Sequence, residues 1–501
     1  MVVSMAFSTH LSHSTDAFRR SHHTKIKIQV TFTEYLTPCE LFITMMNDQA
    51  SYDTARPGSS MKPPLFRRRW FIMLVSGATI LGCVVAIAVS VGGAGGGGGS
   101  SLSSSWGSGP VSPAPELPPE QVKNNRNELG SVLVSIYDSL GLPWNKFNDP
   151  QSAQSKALTW VSGSKTYSNM VRVERIQRYA LAVFYYSTFM QPHDFLAQPT
   201  GWSSSDKWLT QQSECTWEGI VCNLNGNVAS ILLPNHYLSG SLPMELSILR
   251  AHLTTIDLGK NNIVMQGAAN DVFGFLYKLE NLVFDDNYMV TTTGLPESFS
   301  ELVALEKLSI SYNLLQGPVN GAVIAKMQSL SHFEIESNYL SGSLPVQLGQ
   351  LKNLVYLYAR SNDFTMDLTD LMAPGNFKSL FALWLDSNNI SGRIPTSIGL
   401  LTELVSLSIT TSTLSGAIPT EMALLTKLRR LWLYDNKLNG RIPLELSALT
   451  NLEVLELYQN NLSGVMPPMI CEAIKTAADE FKTLSADCGE VQCDDCCTSC
   501  Y

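Results

Sequence analysis

The reading turns on Leu428-x-x-Leu431-x-Leu433-x-x-Asn436-x-Leu438-Asn-Gly440-Arg-Ile442-Pro443-x-x-Leu446-x-x-Leu449. The same pattern returns from Val228 onward in about ten copies spaced near 24 residues, beginning at Val228, Leu253, Leu279, Leu305, Leu330, Leu354, Leu380, Leu404, Leu428 and Leu452. A single copy cannot bury its leucines, but stacked copies build one continuous core, so the spacing predicts a solenoid of residues 228–470. Each short Leu-x-Leu stretch reads as a strand pairing in parallel with its neighbours. The recurring Asn313, Asn388, Asn436 and Asn460 fall where the strand turns away. Their amides can satisfy backbone groups of the next turn that would otherwise be buried and unpaired. The Gly before Ile-Pro permits backbone conformations closed to other residues. These positions are assigned to structure. The copies at Leu253, Leu279 and Leu354 run slightly long and lose the Gly-x-Ile-Pro part, with their insertions expected in convex loops.

An array of this kind has two open ends that need caps. Ahead of the first copy, Trp208 leads into Cys215-Thr-Trp217-Glu-Gly219-Ile-Val-Cys222. The two cysteines suit a disulfide closing that end. Beyond the last copy, residues 471–501 hold Cys471, Cys488, Cys493, Cys496, Cys497 and Cys500. Outside the membrane the eight can form four disulfides, with the pairing open. Cys493-x-x-Cys496-Cys497-x-x-Cys500 also has thiolate-ligand spacing, but export favours disulfides over metal.

Upstream, residues 121–227 read as a helical region and cap, with helices over Asn125–Leu140, Ala153–Val161 and Val171–Met190. Val173, Ile176, Ala180, Leu181 and Phe184 define the inward side of the third. Tyr179, Tyr185 and Tyr186 are read as core rather than a ligand box. Ser162-Gly-Ser-Lys165 matches an acylating-hydrolase pattern without its companion motifs. Residues 92–120 form a Gly/Ser/Pro linker lacking the features of a phosphate loop. Trp70–Val91 carries no charge and is long enough to cross a bilayer. Arg67, Arg68 and Arg69 precede it, and no basic residue follows until Lys123. The positive-inside rule therefore predicts a signal-anchor helix at 70–91, a disordered cytoplasmic tail at 1–69, and a C-terminal part outside the cell or in the secretory lumen. The alternative, a cleaved signal peptide starting at Met61, also exports the rest.

The chain has 501 residues and a net charge of −9, from 34 basic against 43 acidic side chains. That balance argues against nucleic-acid binding. A single long apolar run excludes a many-helix transporter. The zinc-hydrolase, serine-hydrolase and phosphate-loop motifs are missing, and the histidines do not cluster, so the reading is non-enzymatic, with no cofactor and no metal.

The Trp…Cys-x-Trp-x-Gly-x-x-Cys cap and the Leu-Ser-Gly-x-Ile-Pro repeats resemble plant-type leucine-rich-repeat ectodomains over about 208–470. Those occur in receptor-like kinases, receptor-like proteins and polygalacturonase inhibitors. The N-terminal anchor, linker, helical cap and Cys-rich tail resemble single-pass leucine-rich-repeat proteins of algae such as diatoms. The resemblance implies an α/β repeat fold, a right-handed leucine-rich-repeat solenoid with short parallel strands on its concave face. The plant receptors carry their membrane helix after the repeats and a kinase beyond it; here the apolar run comes first and no kinase motif is present.

In such a solenoid the non-Leu strand positions face outward on the concave sheet. They are Asp257, Asp285, Asp286, Glu334 and Glu336 early, then Tyr356, Tyr358, Arg360, Trp384, Asp386, Arg430, Trp432, Tyr434, Asp435, Glu456 and Tyr458. Trp, Tyr and Arg dominate binding energy at interfaces, so the later set is the expected ligand-binding face. The alternative is that cross-strand aromatic pairs only stiffen the sheet. The early acidic set reads as solvated rather than calcium-binding. Asn389-Ile-Ser391 and Asn461-Leu-Ser463 fit the glycosylation pattern. The expected function is membrane-anchored recognition of a protein, peptide or glycan through the concave face, receptor-like or adhesive, with a co-receptor and without a kinase. Enzyme inhibition in the manner of polygalacturonase inhibitors and a structural wall protein are the alternatives.

Overall fold

Three-residue strands of the Leu-x-Leu type stack side by side along the whole array. The computed structural model describes residues 117–189, 202, 203, 205, 207–266, 272–476, 483–487, 489, 491–493 and 497–500. The tail, the apolar run 70–91 and most of the linker lie outside the described residues. Among the described residues, no helix is long and apolar enough to cross a membrane.

The main sheet has thirteen strands in the order of the chain. Ile220–Cys222 pairs antiparallel with Val228–Leu232, and every later pairing is parallel. The register is one-to-one: Leu357 lies beside Leu383, then Leu407, Leu431 and Leu455. All of these are buried. The ten expected strands are present, and the sheet continues past them through Thr483–Ala486 and Ser499–Cys500.

After each strand the chain turns through a non-Gly residue of positive φ, such as Tyr312, Ser387 or Asp435. The next residue is the ladder asparagine. Asn313 Nδ2 donates to the carbonyls of Phe284, Ile310 and Ser311, and its Oδ1 accepts from Met289 N at 2.9 Å. One buried side chain thus satisfies four backbone groups of two coils. The same arrangement recurs at Asn261, Asn287, Asn338, Asn362, Asn388, Asn436 and Asn460.

The Leu-Ser-Gly stretch that follows forms further parallel strands, one group of seven and one of four. The two groups meet between Asn389–Ser391 and Ser415–Gly416, where only the isolated bridge Arg393–Ser415 joins them. That coil carries Ser412 in place of the ladder asparagine. The glycines behave as expected at this turn: Gly294 has φ +83°, and a Cβ there would lie 1.7 Å from the Pro318 carbonyl oxygen. Each regular coil then closes with a proline and a 3-10 turn, as at Pro443 and Leu444–Ala448. Strands sit about 4.8 Å apart, whereas helical turns need more room. The strand side is therefore the inner, concave side of the array.

Helices α1 (Pro119–Leu140), α2 (Ala153–Ser162) and α3 (Arg172–Thr188) precede the array. The first begins earlier than the apolar periodicity suggests, because prolines are tolerated in a first turn. Val173, expected inward, is 52% exposed. The inward stretch of α3 is instead Gln177–Tyr185, which packs on α2 and on the 3-10 turn Met244–Leu249 of the first coil. Gln177 Oε1 accepts from Val228 N at 2.8 Å, and Arg178 forms a buried ion pair with Glu214 at 2.9 Å. Tyr137 and Gln154 both donate to the buried Glu245. Trp160, Trp202, Trp208, Trp217, Phe184 and Tyr185 fill the space between with ring centroids 4.6–6.1 Å apart. The helices thus close the open end of the solenoid.

Cys215 and Cys222 form the expected disulfide. At the other end Cys493 pairs with Cys497, and Cys471 is also disulfide-bonded. Cys488 and Cys496 and the side chain of Cys500 lie outside the described residues. Asp487 caps the last coil, its carboxylate accepting from Gln459 N and Asn460 N.

Candidate ligand-binding face

Burying the middle residue of each strand turns its two neighbours to the concave surface, and the one-to-one register lines them up in columns. One column runs Lys307, His332, Tyr356, Ala382, Ser406, Arg430. The next runs Ser309, Glu334, Tyr358, Trp384, Ser408, Trp432, Glu456. A third, just past the strands, holds Asp285, Ser311, Glu336, Arg360, Asp386, Thr410, Tyr434 and Tyr458. Ten of the eleven positions expected on the face lie in these columns, and Asp435 instead occupies the positive-φ turn leaving the sheet.

The aromatic residues pair across strands. His332 stacks on Tyr356 at 4.5 Å and Tyr358 on Trp384 at 4.5 Å. The Arg360 guanidinium lies 5.0 Å from the Trp384 ring and pairs with Glu336 at 2.5 Å. Tyr434 and Tyr458 stack nearly parallel at 4.6 Å. His332 was not among the expected residues; its column position beside Tyr356 is the signal that would have found it. Burial pushes the Tyr358 hydroxyl up to about 12, so it remains a donor at neutral pH. The side chain of the exposed Arg430 makes no ion pair or hydrogen bond among the described residues. Burial raises the carboxyl of Glu456 on the neighbouring strand above its usual range.

The strand between the two tryptophans carries small hydroxyl side chains. Ser406, Ser408 and Thr410 are buried, and Ser406 Oγ accepts from Trp384 Nε1 at 2.9 Å. Asp386, expected to point to a ligand, is tied to this strand instead. It accepts from Ser408 Oγ and from Thr410 N and Oγ1. Asp285 is held the same way by Ser309 and Ser311. Each tie pairs an acid on one coil with hydroxyls of the next, which a single repeat cannot reveal. Elsewhere, Tyr179 and Tyr185 are core as expected, and the Ser162 of the hydrolase-like pattern is fully buried. Among the described residues no group of acidic, His and Cys side chains is placed to hold a metal ion.

Asn389 and Asn461 are exposed, three coils apart, at the starts of the second-sheet strands Asn389–Ser391 and Asn461–Val465.

Residues 427–449 and 451–473 match the Leucine Rich Repeat family. Receptor-like protein 39 of Arabidopsis thaliana is 32% identical over 192 residues, 38% of this chain and 21% of that protein. Receptor-like protein 41 of the same plant is 31% identical over 194 residues, again 38% and 21%. This chain thus spans about a fifth of the length of those relatives. Among solved structures, the Arabidopsis receptor kinase HAESA, in complex with the peptide hormone IDA and the co-receptor SERK1, is 27% identical. The match covers 57% of this chain and 50% of that one, with a TM-score of 0.47. Repeat pattern, family match and relatives agree that this chain carries a plant-type leucine-rich-repeat array, similar to those of plant receptor-like proteins.

Proposed function

We propose that this protein is a membrane-anchored recognition protein that binds a peptide or protein segment across the concave face between Tyr356 and Tyr458, and that it works without catalysis. The observation carrying this reading is the set of half-buried aromatic side chains on the strands either side of Ser406–Ser408, with the unpaired Arg430 side chain among them. Such residues supply most of the energy at protein interfaces. The sequence likeness to receptor-like proteins points the same way. A sugar stacks flat on an aromatic face, but here many faces are taken by neighbouring rings and by Arg360. What they present is edges, hydroxyls and charge, which suit a peptide backbone and its side chains better than a glycan.

In this reading the array lies outside the cell or in the secretory lumen, held by residues 70–91. Asn389 and Asn461 carry glycans on the flank away from the ligand, and a co-receptor completes signalling. A displayed library of random peptides, selected on the full-length chain, tests it. Enriched peptides are expected to bind the wild type and to lose at least tenfold in affinity on a folded Trp432→Ala/Tyr434→Ala double variant. Equal binding to both proteins would overturn the assignment.

A further inference from the structure

Ser309 Oγ lies 2.7 Å from Asp285 Oδ2 and 2.7 Å from Glu334 Oε2. The three residues come from three successive coils, brought together by the register that sets Ser309 beside Glu334. A hydroxyl carries one proton and can donate to one acceptor. Two ionised carboxylates cannot both be satisfied by it, because the second contact would set lone pair against lone pair. Both short contacts hold together only if one carboxyl brings its own proton and donates to the Ser309 oxygen, while Ser309 donates to the other.

The surroundings decide which acid keeps the proton. Lys307 Nζ lies 3.0 Å from Glu334 Oε1 and forms an ion pair with it. Among the described residues, Asp285 forms no ion pair. On its near side stand Asp257, whose carboxylate accepts from Gly259 N, together with Lys260 and Asp286 of the adjoining turns. From the following strands come Lys307, His332, Glu334 and Glu336, the last engaged by Arg360.

We propose that Asp285, Ser309 and Glu334 share a single carboxyl proton, held on Asp285, and that this chain makes the acidic half of the concave face a pH-responsive surface. Below the titration the chain is closed, Asp285 to Ser309 to Glu334. Above it Asp285 is ionised, Ser309 turns its proton to one acid alone, and the face gains a negative charge next to the aromatic half. Burial supports the assignment: it pushes the Asp285 carboxyl up to about 6, against the hydrogen bonds from Ser309 and Ser311. Asp386 supplies an internal control. Its tie to Ser408 and Thr410 has the same form, but Trp432 stands where the other tie has Glu334, so its hydroxyl serves one carboxylate. The inference stands whether or not the aromatic half takes the ligand.

The test is the unfolding equilibrium of the full-length chain from pH 4 to 8, for wild type, Asp285→Asn, Glu334→Gln and Asp386→Asn. An acid whose folded-state pKa is raised stabilises the fold below its unfolded pKa, and that stability is lost as pH rises to the folded value. The wild type is therefore expected to lose about thirtyfold in its folding constant between pH 4 and pH 6, relative to Asp285→Asn. The Asn amide can still donate to Ser309, so this variant keeps the closed chain without titrating. Asp386→Asn keeps the wild-type profile. Glu334→Gln moves the midpoint down, because its amide supplies the second proton, and it decides alone if Asp285→Asn fails to fold. A wild-type slope in Asp285→Asn, or an unmoved midpoint in Glu334→Gln, would overturn the proposal.

Discussion

Trp384 and Trp432 meet edge to face, with ring centroids 6.5 Å apart, although a whole strand separates them. The contact exists because that strand, Ser406–Ser408, carries side chains too small to keep the rings apart. The two indoles roof over it and leave Ser408 only 7% exposed.

Replacing Ser408 by leucine puts a branched side chain under that roof and removes the bond to Asp386. Overpacking of this kind costs about 1–3 kcal/mol. The expected result is a lower melting temperature together with loss of the near-ultraviolet circular dichroism of the coupled rings. An unchanged aromatic spectrum would mean that the indoles do not touch in solution.

The ladder predicts two opposite effects. Asn313→Ala leaves four backbone groups of two coils without their partner and is expected to cost about 2 kcal/mol or more. Ser412→Asn restores the missing rung where the second sheet is interrupted, at the loss of the Ser412 bond to Asn388 O, and is expected to gain about 1 kcal/mol. Denaturant midpoints measure both, and a destabilising Ser412→Asn would refute the assigned role of the gap.

At the helical cap, Glu214→Ala removes the buried partner of Arg178, whose side chain is 3% exposed, and leaves it the less buried Glu174 at 3.2 Å. Removing one partner of a buried pair costs about 3–5 kcal/mol. Because α3 closes the first coil, hydrogen exchange should rise first at Val228–Leu232 in this variant. Exchange that rises evenly along the array would contradict the capping role.

Topology is tested with tags at both ends of the full-length chain in intact cells. A protease-protected N-terminus and a C-terminal part shifted by glycosidase, with the shift lost in Asn389→Gln/Asn461→Gln, is the expected pattern. A cytosolic C-terminus would overturn the exported reading.

The leucine period, the asparagine turns, the glycine before Ile-Pro and the Cys215–Cys222 cap were legible because each is a local requirement that every coil repeats. The second sheet was not. Its residues, such as Leu340 and Ser341, look like a turn within one copy, and their pairing with Gly317 and Pro318 appears only between copies. The same blindness hid Asp285 and Asp386, read as outward charges but held by hydroxyls one coil further on. Val173 was misplaced because the burial of α3 is set by what docks on it, not by its own periodicity. The strand Thr483–Ala486 escaped because it carries a single leucine, Leu484.

The one-to-one register also governs how such a chain can change in length. Loss of the whole coil 404–427 would set Ala382–Trp384 directly beside Arg430–Trp432 and place the two indoles on adjacent strands, with every buried leucine still facing a leucine. Loss of one residue from within a three-residue strand would turn its leucine toward water, whereas the loops already absorb the extra residues of the longer coils. Insertions and deletions within the strands are therefore admissible in units of a full coil, which removes or adds one row of concave side chains and leaves the others in place.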